Sequence, residues 1–192
     1  AGNYAAFLHR YYRFRGKGTQ LAPTSGSMGY GLPAAVAAKL RHPERTVVCL
    51  AGDGCLQMTI QELSTARQHG ADIIVVIANN GRYGTIRMHQ ENHYPGRVSG
   101  TDIVNPDFVA IGAAYGMHAE KVEETAGFAE AFDRALASPT GAVLELVIAT
   151  EVVRDRPDAC LHRLRTARRE GHGRERVDPR QGAELVVPLH QD

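Results

Sequence analysis

Short runs of β-branched and apolar residues recur along this chain, separated by segments of ten or more residues with helical spacing, and that alternation admits few folds. Thr46–Ala51 (TVVCLA), Asp72–Ala78 (DIIVVIA), Met117–Val122 and Ala142–Ala149 (AVLELVIA) read as strands. Gly31–Arg41 (GLPAAVAAKLR), Thr59–His69 (TIQELSTARQH), Pro106–Tyr115 and Thr125–Ser138 read as helices. Pro33 falls in a first turn, where a missing N–H costs nothing, Gly70 and Gly116 stop two helices, and Asn105 and Thr125 are placed as N-caps. Strands joined by helical crossovers imply a doubly wound parallel sheet, an α/β fold of three layers. The run at 72–78 is apolar at every position but the first, as a strand buried on both faces requires.

Composition limits the partners. The longest strongly apolar run, residues 73–79, falls far short of the ~20 residues of a membrane helix, so neither a span nor a secretory leader is expected. A formal net charge of +1 gives no global attraction for a polyanion, which argues against nucleic acid and against an anionic membrane. Cys49, Cys55 and Cys160 are odd in number and form no Cys-x-x-Cys pair, so neither a disulfide framework nor a zinc site follows, and a reducing cytoplasm fits best. Residues 1–150 hold all the aromatics and the clear apolar runs. Residues 151–192 hold nine arginines and no Phe, Tyr or Trp, and read as a poorly packed tail with at most a short helix around Ala159–Arg169.

In open α/β sheets ligands bind at the carboxyl ends of the strands, and two strands here end in polar, glycine-rich turns, Ala51-Gly-Asp-Gly-Cys55 and Ala78-Asn-Asn-Gly-Arg82. If those strands are neighbours, the Asp53 carboxylate and the Asn80 amide oxygen, twenty-seven residues apart, meet at one edge. Two hard oxygen donors and a turn carbonyl make half of an octahedral Mg²⁺ shell, which phosphate oxygens and water usually complete. Gly52 and Gly54 allow close approach of a diphosphate, and a helix beginning near Leu56 aims its first amides toward it.

Residues 52–80 resemble the cofactor signature of thiamine diphosphate-dependent enzymes, a Gly-Asp-Gly and an Asn-Asn separated by just under thirty residues. The likeness runs from about Ala1 to Thr150. Gly26-Ser-Met-Gly-Tyr-Gly-Leu-Pro-Ala-Ala35 resembles the segment that cradles the aminopyrimidine ring. Asn79-Asn-Gly-Arg-Tyr-Gly-Thr-Ile-Arg87 is similar to the turn after the metal-binding Asn in benzoylformate decarboxylase-like and acetolactate synthase-like members. The resemblance implies that Asp53, the Asn80 side chain and the Arg82 backbone carbonyl ligate Mg²⁺. It implies that Gly52, Gly54, Cys55, Tyr83 and Gly84 lie around the diphosphate, with Asn3 near it. It places Gly26 and Ser27 at the pyrimidine and Met28 where a bulky apolar residue holds the cofactor bent, so that the cofactor's own amino group can activate its thiazolium carbon. The implied reaction is attack on a 2-oxo acid with loss of carbon dioxide, followed by protonation (a decarboxylase) or by addition to a second carbonyl (a carboligase such as acetolactate synthase).

The activating glutamate of this family lies on a separate pyrimidine-binding domain, usually of a neighbouring subunit, so no residue of this chain is assigned as catalytic. The resemblance implies the carboxyl-terminal, diphosphate-binding third of a longer enzyme, or else a stand-alone subunit needing a pyrimidine-domain partner, in either case within a homo-oligomer, and a chain that alone binds cofactor poorly and is inactive. Glu62 reads as a structural helix residue, and His89 and His93, at i and i+4, as a solvated helix face. His89 stands about where acetolactate synthases carry a tryptophan. Two alternatives to the full reading are a catalytically incomplete or regulatory fragment and an NAD-binding domain. The second rests on Gly29-Tyr-Gly-Leu-Pro-Ala34, but that fingerprint needs an apolar strand before it, and Leu-Ala-Pro-Thr-Ser precedes Gly26. Nucleic-acid binding, suggested by aromatic and basic residues interleaved over His9–Lys17, is opposed by the net charge.

Overall fold

A computed structural model describes residues 2–14, 16, 18–149 and 183–186. In chain order the elements are α1 (Asn3–Tyr11), β1 (Gln20–Leu21), α2 (Gly31–Arg41), β2 (Thr46–Gly52), α3 (Asp53–Gln57), α4 (Glu62–His69), β3 (Ile74–Asn79), α5 (Gly84–His93), α6 (Phe108–Ala114), β4 (His118–Val122), α7 (Phe128–Ala137), β5 (Ala142–Val147) and β6 (Ala183–Val186). The strands pair in the order β1-β6-β2-β3-β5-β4, all parallel. This is the parallel α/β sheet expected from the alternation.

Strand periodicity sorts the core into two layers. Val47, Cys49 and Ala51 of β2 and Val75 and Ile77 of β3 pack with Leu32, Ala35 and Val36 of α2, Leu63 and Ala66 of α4, and Phe108 of α6. Their neighbours in sequence, Val48, Ile74 and Val76, face the other way onto Ala131 and Ala135 of α7, with Ala142 and Leu144 of β5. Ile77, Val75, Val47 and Leu144 are fully buried, each worth about 1.5–3 kcal/mol relative to exposure. The site-bearing strands β2 and β3 therefore sit mid-sheet, the most rigid place available.

The structure differs from these local expectations at several points. The single helix expected at 59–69 is broken: α3 ends at Gln57, and tight i→i+3 bonds, Thr59 N–H to the Leu56 carbonyl and Glu62 N–H to the Thr59 carbonyl, carry the chain into α4. The cause is docking, because Thr59 turns its hydroxyl onto the Gly29 carbonyl at 2.9 Å. The helix expected from Pro106 starts at Phe108 with Asp107 as its cap, whose carboxylate accepts the Ala110 N–H at 2.9 Å. Thr125 caps nothing; it opens a 3₁₀ turn, Thr125–Gly127, ahead of α7. Within the segment read as tail, Ala183–Val186 forms a strand between β1 and β2, which its composition did not suggest. The short helix expected around Ala159–Arg169 and the thiol of Cys160 lie outside the described residues.

Candidate metal and diphosphate site

Register brings the two polar turns together. Gly52 pairs with Ala78, so the residues that follow, Asp53 and Asn79, leave adjacent strands at one edge of the sheet. Asp53 opens α3 and is only 3% exposed. Its Oδ1 accepts the Gly54 N–H at 2.9 Å, and its Oδ2 accepts the Gly81 N–H at 2.9 Å and the Asn105 side-chain amide at 2.7 Å. The contact with Gly81, the residue after Asn80, settles the geometric question left by the sequence: both turns share one edge. The helix begins at Asp53 rather than near Leu56, so the Gly-Asp-Gly lies across its N-terminus.

The second turn is held by its own side chains. Asn79 Oδ1 accepts the Gly81 N–H at 3.1 Å, and Asn80 Oδ1 accepts the Arg82 N–H at 3.3 Å. Arg82 pairs antiparallel with Asp102 and turns its guanidinium toward that residue, Nε 3.6 Å from the carboxylate, so the side chain leaves the edge where its backbone stays. Tyr83 and Gly84 begin α5, and the Tyr83 ring packs on Gly54, where a Cβ would stand 2.8 Å from it. Asn3, at the start of α1, accepts the Thr85 hydroxyl at 2.9 Å, which fastens α1 to α5.

Gly52 lies under the Tyr4 ring, whose hydroxyl is buried beside the Cys55 thiol; burial first and the thiol second raise the Tyr4 pKa well above its ordinary value. Cys55 is buried. Gly26, Ser27 and Met28 form a loop that reaches α3 from its far end, because Gly29 packs on Met58 and Thr59, with a Cβ at Gly29 only 2.9 Å from Met58 Cβ. Since α3 has five residues, roughly 7 Å separates that end from Asp53. Glu62 opens α4 and accepts the Thr65 hydroxyl at 2.8 Å. His89 and His93 lie on α5, a helix with no buried residue, and among the described residues no three His, Cys, Asp or Glu side chains form a metal-binding group.

A buried carboxylate is costly unless a cation or ample hydrogen bonding compensates it. All three donors to Asp53 are neutral, and among the described residues no Lys, Arg or His forms an ion pair with it. An anionic oxygen so placed, next to a carboxamide turn, fits a hard divalent cation, which prefers oxygen donors and does not need a cluster of acids. Sequence reasoning missed two members of this site. Asn105 has the local character of a helix cap and Gln57 that of an ordinary helical residue, yet Gln57 Nε2 donates to Asn105 Oδ1 at 2.7 Å. Neither has a local signal, because both act across 26 or more residues of sequence.

A parallel α/β domain with a buried carboxylate and an Asn-Asn turn side by side at the carboxyl edge of its central strands belongs to the class of open α/β domains that bind a ligand at that edge. Residues 1–146 match the family model described as thiamine pyrophosphate enzyme, C-terminal TPP binding domain, and the chain belongs to that family. It is 39% identical over 123 residues to the acetolactate synthase large subunit of Parasynechococcus marenigrum (strain WH8102), covering 63% of this chain and 20% of that protein. It is 49% identical over 92 residues to the acetolactate synthase isozyme 3 large subunit of Escherichia coli (strain K12), covering 47% and 16%. Among solved structures, the thiamine diphosphate-dependent 4-hydroxybenzoylformate decarboxylase of Rhodococcus jostii RHA1 superposes with a TM-score of 0.59 at 35% identity, over 64% of this chain and 23% of that one. The chain thus spans about a fifth of the length of the curated relatives it matches. No helix among the described residues is long and apolar enough to cross a membrane.

Proposed function

We propose that this chain is the cofactor-anchoring domain of a thiamine diphosphate- and Mg²⁺-dependent enzyme that decarboxylates a 2-oxo acid or joins it to a second carbonyl. The observation that carries this reading is the buried Asp53 carboxylate, held only by neutral donors at the edge where Asn80 and Arg82 follow β3. Asp53, the Asn80 side chain and the Arg82 carbonyl would hold the cation, and Gly52, Gly54, Cys55, Tyr83, Gly84 and Asn3 would surround the diphosphate. Gly26, Ser27 and Met28, carried on the loop docked against α3, would meet the pyrimidine. When bound, the cofactor supplies an electron sink for loss of carbon dioxide.

This chain's own residues anchor and orient. Gly54 keeps the Tyr83 ring close to the first turn of α3, and the Asn3–Thr85 bond fixes α5 beside it. No proton-relay carboxylate is assigned here; a pyrimidine-binding domain or subunit supplies it, and the active site is completed in a homo-oligomer. Matches both to acetolactate synthases and to a decarboxylase support the 2-oxo acid chemistry without choosing between its two outcomes. The buried thiols Cys49 and Cys55 suit a reducing cytoplasm.

Calorimetry with thiamine diphosphate of this chain joined with its pyrimidine-binding domain or subunit tests the reading. Binding that requires Mg²⁺ and is abolished by Asp53→Ala is expected, with no heat from NAD. Equal binding by wild type and Asp53→Ala, or binding indifferent to the metal, overturns it.

A further inference from the structure

Around Asp53 the structure closes a network of side-chain amides that the anchoring role does not by itself require. Asn105 Nδ2 lies 2.7 Å from Asp53 Oδ2 and 2.8 Å from Asn79 Oδ1, while its Oδ1 accepts Gln57 Nε2 at 2.7 Å. Asn79 Nδ2 in turn donates to Oε1 of the buried Glu145 at 2.7 Å. Resting on the reading above, we propose that Asn105 is a positioning residue for metal binding, aiming the Asp53 carboxylate, and that Gln57 braces the Asn105 amide from its oxygen end.

Donor and acceptor ends decide the orientation. Asp53 Oδ2 and Asn79 Oδ1 are both acceptors, so only the NH₂ end of Asn105 can serve them together. Gln57 braces that orientation by donating to the oxygen end. Glu145 does the same for Asn79: as an acceptor it takes the NH₂ end and leaves Oδ1 turned toward Gly81 and Asn105. Each amide is clamped at the end remote from Asp53, by residues on α3 and β5.

The consequence for the carboxylate is specific. A carboxylate offers roughly four lone-pair sites. Gly81 and Asn105 occupy Oδ2 and Gly54 one site of Oδ1, which leaves one place, on Oδ1, for a cation. Rotation of the carboxylate would break at least one of those three bonds. Loss of Asn105 frees Oδ2 and lets the group turn, so metal affinity falls although no ligand has been removed. Groups that orient a metal ligand typically matter by about 10–100-fold in affinity.

Mn²⁺ binding to the chain joined with its pyrimidine-binding domain or subunit, in the presence of thiamine diphosphate and followed by loss of the free-ion electron paramagnetic resonance signal, reads this directly. Asp53→Ala is the control for the site itself. Asn105→Ala should weaken Mn²⁺ about 10–100-fold. Gln57→Leu should weaken it in the wild-type background and have no further effect, within roughly twofold, in the Asn105→Ala background, because it acts through that amide. Circular dichroism of each variant without metal confirms folding, and should Asn105→Ala not fold, Gln57→Leu alone decides. Unchanged affinity in Gln57→Leu, or independent effects of the two substitutions, overturns the proposal while Asp53→Ala still abolishes binding. If wild type and Asp53→Ala sequester Mn²⁺ equally, the anchoring reading itself has failed.

Discussion

Replacing Gly141 with alanine should destabilise this domain far more than the same change at Gly116, although both glycines have left-handed backbone. Gly141 has φ of +73°, and a Cβ there would stand 2.6 Å from the Ile73 carbonyl oxygen, 3.0 Å from the Ile73 nitrogen and 3.1 Å from Met117 Cε. The first two are backbone atoms and cannot swing aside. The Ile73 oxygen accepts the Ala142 N–H at 2.9 Å, and the Gly141 oxygen accepts the His118 N–H at 3.2 Å, so relief of the clash pulls β5 away from both neighbours at its first residue. Left-handed backbone costs a non-glycine residue about 1–2 kcal/mol, and forced displacement in a packed interior a further 1–3 kcal/mol. Together these predict a loss of about 2–5 kcal/mol, a large part of the ~5–15 kcal/mol that holds a domain folded. Gly116→Ala supplies the control: φ is +70°, but the nearest atom to its Cβ is Arg67 Nη2 at 3.9 Å, so it should lose only the backbone strain of about 1–2 kcal/mol. Urea unfolding followed by circular dichroism measures both. A Gly141→Ala variant within about 1 kcal/mol of Gly116→Ala would refute the steric reasoning.

Other outcomes follow from single contacts. Asp107→Ala removes the cap of α6 and should cost about 1 kcal/mol by urea unfolding, whereas Thr125→Ala, which loses no cap bond, should cost less. Burial, and then the neighbouring Cys55, push the Cys49 thiol up to about 12, so iodoacetamide at mildly alkaline pH should leave Cys49 unmodified in the folded chain and label it in urea, as peptide mass spectrometry would show. Glu120 is held below the ordinary carboxylate range, chiefly by its hydrogen bond to Arg134 and also by the one to His118. A carboxyl depressed in the folded state stabilises above its unfolded pKa and loses that contribution as pH falls through the folded one. The difference in melting temperature between wild type and Arg134→Ala should therefore be small at neutral pH, because the pair is exposed, and vanish at strongly acidic pH. A difference that grows on acidification would contradict it.

The central layer was legible because its signals are local. Gly31–Arg41 forms a helix with the bounds its composition suggests, and the strands at β2, β3 and β5 begin or end within two residues of the apolar runs. The Gly-Asp-Gly and Asn-Asn turns could be paired in advance since one crossover separates them and parallel pairing puts both at the carboxyl edge. What escaped depends on contacts distant in sequence. Asn105 has the local features of a cap, but Asp53 and Asn79 compete for its amide and Asp107 takes the cap instead. The 58–61 turn that splits α3 from α4 exists because the 26–29 loop lands on it. A four-residue strand inside an arginine-rich segment has too little apolar sequence to announce itself, and finds its place only between β1 and β2.

One cation should join the turn after β2 to the turn after β3, and the roles given to the surrounding residues depend on it. Anomalous diffraction from crystals of this chain with its pyrimidine-binding domain or subunit, grown with Mn²⁺ and thiamine diphosphate, measures it most directly. A single peak contacting Asp53 Oδ1, the Asn80 side-chain oxygen and the Arg82 carbonyl, with phosphate oxygens completing the shell, is the predicted result. A peak that lies away from Asp53, or cofactor bound with no peak at this edge, would contradict it.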